Sequence, residues 1–165
     1  MAIDIDLPLT GKCSCGLVRY ELSEAPLFTH ACHCADCQRS TGSAFVIHTL
    51  TTKSGFKISG ETKSTTLPTG SGAGYDPHFC SKCGTFIWCE YHVAPKGFLV
   101  LRTGTLDKPN NVEPEAHIFT TQKLPWLPLP KDVPCFPEMY NRIETWPEAS
   151  NQTMDRLVAK AKGHA

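Results

Sequence analysis

The sequence predicts a mainly β protein, and three of its features favour that class. Short segments rich in β-branched and aromatic residues recur along the chain, and turn-forming residues separate them. The 13 prolines and 12 glycines are too many, and too widely scattered, for a bundle of helices. Hydrophobic residues account for 41% of the chain and charged residues for 19%, a composition typical of a folded core. The length of 165 residues suits one domain, so we expect residues 1–165 to form a single unit.

The predicted strands are short and follow one another closely. Residues 16–22 alternate between apolar and polar side chains, which is the pattern of a strand with one buried face. The polar segment 52–55 predicts a turn between the next two strands, and the Gly- and Ser-rich segment 68–74 predicts a flexible loop after the fourth. In chain order the predicted strands are 16–22, 44–51, 55–58, 62–67, 78–79, 85–91, 97–102 and 115–120.

Two segments are predicted as helices. Residues 36–42 favour one short helix, and a longer amphipathic helix near the end of the chain has Ser150 as its expected N-cap. We expect this C-terminal helix to pack on the surface of the domain; the alternative is a helix that binds a partner. Segment 125–137 contains five prolines and is predicted to be extended and irregular. The apolar face of the C-terminal helix, at i, i+3, i+4 and i+7 spacing, is formed by Met154, Leu157, Val158 and Ala161.

The charge and hydropathy of the chain exclude several function classes. Sixteen basic and sixteen acidic residues cancel, so the chain lacks the field that holds a nucleic-acid backbone or an anionic membrane surface. Residues 1–10 contain no Lys or Arg and no apolar run of the length that a signal peptide needs. The longest aliphatic stretches, such as 98–101, have about four residues, whereas a membrane span needs roughly 20. We therefore expect a cytoplasmic protein that binds neither nucleic acid nor membrane.

The nine cysteines are the most informative residues of the sequence. Thiols stay reduced in the cytoplasm, where they act as metal ligands or nucleophiles, and an odd number of cysteines also disfavours a framework of disulfides. Seven of the nine fall into three clusters, which are Cys13 and Cys15, then Cys32, Cys34 and Cys37, then Cys80 and Cys83.

The first and third clusters together supply four thiolates, the ligand set of a closed structural zinc site. The third has the form of a zinc knuckle, in which two intervening residues and the following Gly84 permit a tight turn. The two sulfurs of the first would lie about 6.5 Å apart in an extended strand. Tetrahedral Zn–S bonds of about 2.3 Å require about 3.8 Å, so the segment must bend, and Gly16 can supply that bend. The predicted structural ligands are Cys13, Cys15, Cys80 and Cys83.

The middle cluster contains three cysteines within six residues, and it predicts a second zinc ion in each chain. Three thiolates leave one coordination position for water or an incoming thiol, as a catalytic zinc site requires. Zinc would lower the pKa of that thiol and hold it as a nucleophile. The predicted ligands of this catalytic zinc are Cys32, Cys34 and Cys37.

The alternative is that the clusters exchange ligands, or that a histidine completes the middle cluster and closes both sites. His33 alternates with its flanking cysteines and should point away from their metal, so it is expected to be solvated or hydrogen-bonded. The histidines near enough in the sequence to act as the missing ligand are His30, His33, His48 and His78.

Two cysteines fall outside the clusters. Cys89 lies in a predicted strand, where a lone cysteine is usually a small buried hydrophobic residue. Cys135 lies in the proline-rich segment. A redox or ligand role for either cysteine is the alternative.

Three segments of the chain resemble the glutathione-dependent formaldehyde-activating enzyme family, which also contains centromere protein V. These segments are 11–20, 32–45 and 79–84, and weaker similarity follows at 102–107, 114–117 and 123–126. The resemblance runs from about residue 9 to 128 and leaves 129–165 as a C-terminal extension.

The resemblance implies an Mss4-like fold, in which antiparallel sheets are organised around zinc. It implies the same division of the cysteines into a structural site of four and a catalytic site of three. The family's reaction joins glutathione and formaldehyde into S-(hydroxymethyl)glutathione, which is a carbon–sulfur lyase reaction run in reverse. In that reaction zinc-bound glutathione thiolate attacks the carbonyl carbon.

The chain departs from the family pattern at Gln38, where members often have a basic residue, and in its C-terminal extension. The loss of the basic residue is expected to weaken an anion contact to glutathione, and the extension is expected to cap or line the cleft. The nearest candidates for holding the polar groups of glutathione are Arg39, Thr41 and Ser43. For each of these three, an ordinary turn or capping role is the alternative.

Three functions are compatible with these observations. The first is a zinc enzyme that acts on a small thiol adduct, with glutathione as the expected thiol. The second is a non-catalytic binding module in which both zinc ions are structural. The third is a metal store or redox sensor that uses Cys89 and Cys135.

Overall fold

The computed structural model describes residues 6–69 and 72–163, and strands dominate this part of the chain. Its strands are β1 (Leu9–Lys12), β2 (Arg19–Leu22), β3 (Phe28–Cys32), β4 (Val46–Thr52), β5 (Phe56–Ser59), β6 (Thr62–Ser64), β7 (Tyr75–Cys80), β8 (Phe86–Tyr91), β9 (Phe98–Arg102) and β10 (Ala116–Ile118). The α-helices are α1 (Ala35–Thr41), α2 (Arg142–Thr145) and α3 (Glu148–Lys162), and 3-10 turns lie at Thr103–Thr105, Pro109–Asn111 and Thr120–Gln122. The prediction of a mainly β fold with a C-terminal helix is confirmed.

The described strands form two sheets. The smaller has the strand order β1-β2-β5, and the larger has the order β10-β3-β4-β9-β8-β7-β6. Neighbouring strands are antiparallel, except that β10 runs parallel to β3. The connection from β3 to the antiparallel β4 contains α1, so the middle cysteine cluster lies at one end of the larger sheet.

The larger sheet has a hydrophobic cluster on each face. All residues of β9 are buried, and successive side chains of a strand point to opposite faces. Phe98 and Val100 belong to one cluster, which we call the first core. Leu99 and Leu101 belong to the second core. The second core is shared with the smaller sheet, whereas Trp146 of the C-terminal extension packs in the first core.

Five predicted strands coincide with β4, β5, β8, β9 and β10 to within two residues. The predicted strand 16–22 begins only at Arg19, because a turn precedes it in which the N–H of Gly16 donates to the carbonyl of Cys13. Strand β6 ends at Ser64 rather than at residue 67. Of the predicted loop 68–74, residues 70 and 71 lie outside the described residues.

Two strands escaped prediction. Every residue of β3 is buried, so β3 lacks the polar–apolar alternation that identifies a strand with one exposed face. Strand β1 has only four residues, and it is defined by its pairing with β2.

The C-terminal helix begins earlier than predicted. Helix α3 starts at Glu148 with Pro147 in the N-cap position, and Ser150 is buried inside the helix. The prediction of Ser150 as the N-cap is therefore wrong. The missing N–H of proline costs nothing at a helix start, where backbone N–H groups have no partner within the helix. Of the predicted apolar face, Met154 and Leu157 pack against the first core.

No helix in the described ranges has both the length and the apolar character that a membrane span requires. The segment 125–137 contains neither a helix nor a ladder strand, as its prolines predict.

Candidate metal centres and the adjoining cavity

The four cysteines of the first and third clusters come together in the folded chain, and we call them the four-cysteine group. Their sulfur atoms all lie within 4.8 Å of one another. The Cys13 and Cys15 sulfurs are 3.5 Å apart, and the Cys15 and Cys80 sulfurs are 3.8 Å apart. These separations match the roughly 3.8 Å that tetrahedral metal–sulfur bonds of about 2.3 Å require. The four-cysteine group therefore fits a tetrahedral metal ion.

A glycine after each cysteine pair produces this geometry. Gly16 has a φ of 76° and Gly84 a φ of 73°, a region that side chains with a Cβ rarely adopt. The N–H of Gly84 donates to the carbonyl of Cys80 over 3.0 Å, which closes the second turn as the Gly16 N–H closes the first. The two turns fold each cysteine pair back on itself, so that its sulfurs face one point.

The four-cysteine group also connects the two sheets. Cys13 directly follows β1 of the smaller sheet, and Cys80 ends β7 of the larger one. The Cys13 sulfur accepts a hydrogen bond from the N–H of Val18 over 3.2 Å. A metal in this group would join elements that lie 65 residues apart in the sequence.

The middle cluster forms a separate group of three, which we call the cysteine triad. Cys32 ends β3, Cys34 is the N-cap of α1 and Cys37 lies in the first turns of that helix. The sulfur atoms of the triad all lie within 4.8 Å of one another. No ligand atom of a histidine, aspartate or glutamate in the described ranges joins this group. The arrangement of four cysteines and three cysteines is the one that the spacing predicted.

The triad has the electrostatics of a cation site. Hydrogen bonds from Cys32 and Cys37 lower the pKa of the Cys34 thiol to about 2. The same interactions, with burial, raise the pKa of the Cys32 thiol far above its ordinary value. One thiolate is therefore favoured at the expense of its neighbours, because three negative charges this close repel one another. A bound cation would offset that repulsion, so the donor set fits a thiophilic metal.

His33 lies between two triad residues and turns away from them. It is fully buried, so the expectation of a solvated side chain is wrong. Its Nε2 lies 2.9 Å from Nδ1 of His117, so the alternative of a hydrogen-bonded side chain is the one observed. Burial lowers the pKa of His33 to about 4, which keeps the ring neutral.

Two glutamines hold the triad segment in place. The side-chain amide of Gln38 donates to the carbonyl of His33 over 2.7 Å and to that of Gln122 over 2.9 Å. The side-chain oxygen of Gln122 accepts from the N–H of Ala35 over 2.8 Å. Gln38 is thus occupied inside the protein, and the position at which the chain departs from the family pattern supports the start of α1. The sequence contained no signal for Gln122, because its partner lies 84 residues away.

A cavity of about 470 Å³ is lined by residues that follow the two cysteine groups in the chain, and by none of the seven grouped cysteines. The C-terminal part of α1 lines one side, directly after Cys37 of the triad. Gly84 lines another side, directly after Cys83 of the four-cysteine group. The cavity is lined by Ser40, Thr41, Ser43, Phe45, Val46, Ile47, Phe79, Gly84, Phe86, Arg102 and Gly104.

The three candidate glutathione contacts lie in different environments. Thr41 and Ser43 line the cavity, whereas Arg39 does not. The hydroxyl of Thr41 donates to the carbonyl of Cys37 over 2.8 Å, which is a capping interaction of α1. The side chain of Arg39 is 78% exposed and pairs with Asp36 over 3.4 Å at the surface.

The two cysteines outside the clusters remain apart from both groups. Cys89 is completely buried in β8, and burial raises the pKa of its thiol to about 12. Cys135 is exposed in the proline-rich segment. The environment of Cys89 is that of a small hydrophobic residue.

Comparison with known proteins identifies the family. Residues 8–122 match the family model described as glutathione-dependent formaldehyde-activating enzyme, which is more than half of the chain. The chain belongs to this family. A Rhodobacter sphaeroides protein of known crystal structure is similar at 22% sequence identity, with a TM-score of 0.46 over 64% of this chain and 91% of that chain. No curated protein matches the chain.

A buried chain of hydrogen bonds connects the family segment to the C-terminal residues beyond it. Nη1 of Arg102 donates to Nε2 of His48 over 2.5 Å, and Nδ1 of His48 lies 3.2 Å from Nε2 of His30. Nδ1 of His30 lies 2.8 Å from the hydroxyl of Tyr140, which also accepts from the indole N–H of Trp146 over 2.9 Å. Arg102 lines the cavity, so the extension is coupled to the cavity wall.

The chemistry of arginine determines the protonation of both histidines. A guanidinium can only donate, so Nε2 of His48 must be unprotonated and its proton lies on Nδ1. That proton is donated to Nε2 of His30, whose own proton on Nδ1 is donated to Tyr140. Burial lowers the pKa of His30 to about 3 and holds the pKa of His48 well below its ordinary value, in agreement with two neutral rings.

Arg102 is the residue of the site that the sequence analysis missed. It ends the apolar strand β9, and a cation is unusual in a strand that is buried at every position. An arginine directly after the apolar run 98–101 was therefore the signal in the sequence that could have identified this residue.

Proposed function

We propose that the protein is a zinc-dependent enzyme of the carbon–sulfur lyase type that acts on small thiol adducts. The proposed reaction is that of S-(hydroxymethyl)glutathione synthase: the thiol sulfur of glutathione bonds to the carbon of formaldehyde, and the thiol proton passes to the carbonyl oxygen. Membership of the glutathione-dependent formaldehyde-activating family supports this class of reaction. The observation that carries the proposal is the cysteine triad, which offers three thiols and no further ligand atom among the described residues, and whose helix α1 continues into the lining of the cavity.

We assign one zinc ion to each cysteine group. The four-cysteine group has the complete ligand set of a structural zinc. Zinc held by Cys32, Cys34 and Cys37 would supply a Lewis acid and lower the pKa of a bound thiol. The described residues contribute the rest: α1 positions Cys34 and Cys37, the two glutamines fix that helix, and aromatic residues form part of the cavity wall. None of the nine cysteines forms a disulfide, which supports our proposal of a protein of the reducing cytoplasm.

The cavity is the proposed binding site for the thiol. Its volume of about 470 Å³ lies within the range of roughly 300–1,000 Å³ of small-molecule sites. Thr41 and Ser43 line it and are the proposed contacts to the polar groups of glutathione. Arg39 stays a candidate contact only if its exposed side chain leaves Asp36 and reaches the cavity.

Metal analysis tests the assignment of the two groups. We expect two zinc ions in the wild-type protein and one in Cys34→Ser, with an unchanged circular dichroism spectrum, because the triad lies at the end of a sheet that is packed on both faces. Cys135→Ser is the matched control, since that thiol is exposed and outside both groups, and it should keep both ions. Global unfolding of Cys34→Ser would show that the triad holds a structural metal.

Exchange NMR tests the reaction. Glutathione and formaldehyde exchange with their adduct, S-(hydroxymethyl)glutathione. The rate of this exchange is measured in three samples: without protein, with zinc-loaded wild-type protein and with Cys34→Ser. We expect acceleration by the wild-type protein alone. Equal rates in all three samples would exclude the reaction and favour the non-catalytic zinc-stabilised module.

A further inference from the structure

Arg102 is a buried cation without a carboxylate partner. Only 6% of the residue is exposed, and no described aspartate or glutamate forms an ion pair with it. Its Nη1 donates to the neutral His48, and its buried Nε has no hydrogen-bond partner among the described residues. A buried charge is costly unless an opposite charge or a full set of hydrogen bonds compensates it.

The ionisable groups around Arg102 do not neutralise it. Burial raises the pKa of Cys89 to about 12 and raises the pKa values of Tyr75 and Tyr91 as well, so these groups are uncharged. Cys37 also interacts with Arg102, but in the proposed zinc site the metal offsets most of its thiolate charge, so Cys37 is no full ion-pair partner of the guanidinium. The guanidinium carbon lies 3.9 Å from the ring centre of Phe86, which is an aromatic and not an anionic partner.

We propose that Arg102 binds a carboxylate of the thiol that occupies the cavity, and that the site therefore selects thiols carrying an anionic group. Arg102 lines the cavity, and a guanidinium with an unsatisfied N–H forms charge-assisted bonds to a carboxylate once its side chain turns toward the ligand. This inference rests on the proposed function only in taking the ligand to be a thiol.

The surroundings of Arg102 prepare it for this role. The hydrogen bonds through His48 and His30 to Tyr140 hold the guanidinium in one place, so little conformational entropy is lost when a ligand binds. Phe79 and Phe86 line the same cavity, and an apolar wall beside the guanidinium strengthens its interaction with a carboxylate. Arg39, by contrast, is exposed and already paired.

The test compares two thiols that differ in a single group, 3-mercaptopropionate and 3-mercapto-1-propanol. Their affinities for the zinc-loaded protein are measured by isothermal titration calorimetry. We expect the carboxylate to bind at least about tenfold more tightly, since a hydrogen bond to a charged group contributes about 1.5–3 kcal/mol. Arg102→Gln should lose this preference and bind both thiols as the wild type binds 3-mercapto-1-propanol.

Two further arginine variants test whether the preference for the carboxylate thiol depends on Arg102 and not on another arginine. Arg156→Gln removes a guanidinium from the outer surface of α3 and should keep the preference, because that side chain bonds only to Thr153 of its own helix among the described residues. Arg39→Gln should also keep it. Loss of the preference in Arg39→Gln, or its persistence in Arg102→Gln, would overturn the proposal.

A second measurement remains decisive if Arg102→Gln does not fold. Propionate, which has no thiol, is titrated into the wild-type protein while the Arg102 Nε–H resonance is followed by NMR. We expect that resonance to shift with propionate and not with 1-propanol. Equal binding of the two thiols, with no shift on propionate, would refute the role of Arg102 and leave the proposed enzyme intact. A propionate shift without binding of either thiol would refute the thiol-binding function and support an anion site at Arg102.

Discussion

Single side chains in this protein determine one another's charge through hydrogen bonds. Arg102 forces His48 to be a neutral acceptor, and His48 in turn orients His30. The triad follows the same rule, because the contacts among its thiols lower the pKa of Cys34 and raise the pKa of Cys32. The residue type alone does not reveal these states, since each depends on a partner from another element.

The neutral state of His48 is directly testable. We expect 15N NMR to show a proton on Nδ1 and none on Nε2 throughout about pH 5 to 8, because both burial and Arg102 oppose a second proton. In Arg102→Met, which removes the donor, the resonance of Nε2 should change. A doubly protonated His48 in the wild type at neutral pH would contradict the hydrogen-bond chain.

The pKa of His92 is raised, whereas that of His48 is lowered, because His92 forms an ion pair with Asp76 at the surface. Its Nε2 lies 3.0 Å from a carboxylate oxygen of Asp76, and this contact raises the pKa of His92 above its ordinary 6.5. Asp76→Asn should therefore lower the pKa of His92, as measured by NMR titration. Asp107→Asn is the control, because that carboxylate pairs with Lys12 elsewhere and should leave the pKa of His92 unchanged.

The pH dependence of this pair follows from the two shifts. The pKa of Asp76 is lowered by its bonds to Thr66 and His92, so its contribution is present above its ordinary 3.8 and is lost on acidification. The pKa of His92 is raised, so its contribution is present below 6.5 and is lost as the pH rises through the folded value. The stabilising effect of the pair is therefore largest between these two values.

At the scale of secondary-structure elements, the C-terminal extension contributes to the first core. Trp146 stacks on Phe28 with 5.9 Å between ring centres, and Asn141 caps α2 by accepting from the N–H of Ile143. Leu157 of α3 packs against the same core. The extension lies beyond the family segment 8–122, and its Tyr140 and Trp146 are buried in the first core.

Replacement of Trp146 measures this contribution. Trp146→Ala should lower the free energy of unfolding by about 3–5 kcal/mol in urea denaturation, because a side chain that is 7% exposed leaves a cavity in the core. Trp126→Ala is the matched control: that side chain is 69% exposed, and its loss should change the free energy by less than about 0.5 kcal/mol. Similar values for both variants would show that the extension does not stabilise the core.

The elements also show why some predictions from the sequence succeeded. Strands β4, β5, β8 and β9 are bounded by turn residues, so their approximate extent could be read from the sequence. Strand β3 is buried at every position and carries no alternation. Helix α3 begins directly after Pro147. Ser150 is a residue type that favours the N-cap position, but it lies inside the helix.

For the molecule as a whole, the four-cysteine group connects the two sheets. It joins the end of β1 to the turn after β7, and the sheets otherwise meet through the second core. A metal bound there removes conformational freedom from the unfolded chain and adds binding free energy to the folded one. The triad lies within one short segment, so it links no distant elements.

This difference predicts unequal effects of metal-ligand substitutions. Cys83→Ser should lower the thermal unfolding midpoint far more than Cys34→Ser, although the Cys83 side chain is exposed and its replacement disturbs little packing. The chelated wild-type protein should unfold at a temperature near that of Cys83→Ser. Differential scanning calorimetry measures the unfolding midpoints of Cys83→Ser, Cys34→Ser and the chelated wild type. Cys135→Ser is the control, because Cys135 is an exposed cysteine outside both groups. A larger loss for Cys34→Ser would reverse the assignment of the structural and catalytic groups.

The sequence by itself indicated the thiol ligands of both cysteine groups, because sulfurs two or three residues apart within each cluster can meet through local turns. It also determined the mainly β class, since turn residues and short apolar runs are local signals. Only the tertiary structure decided that Gln38 and Gln122 support α1, that Tyr140 reaches Arg102 through two histidines, and that a cavity opens beside the C-terminal part of α1. The side-chain contacts in these features join residues up to 110 positions apart. Local patterns carry no information about which distant side chain, if any, will meet a buried charge.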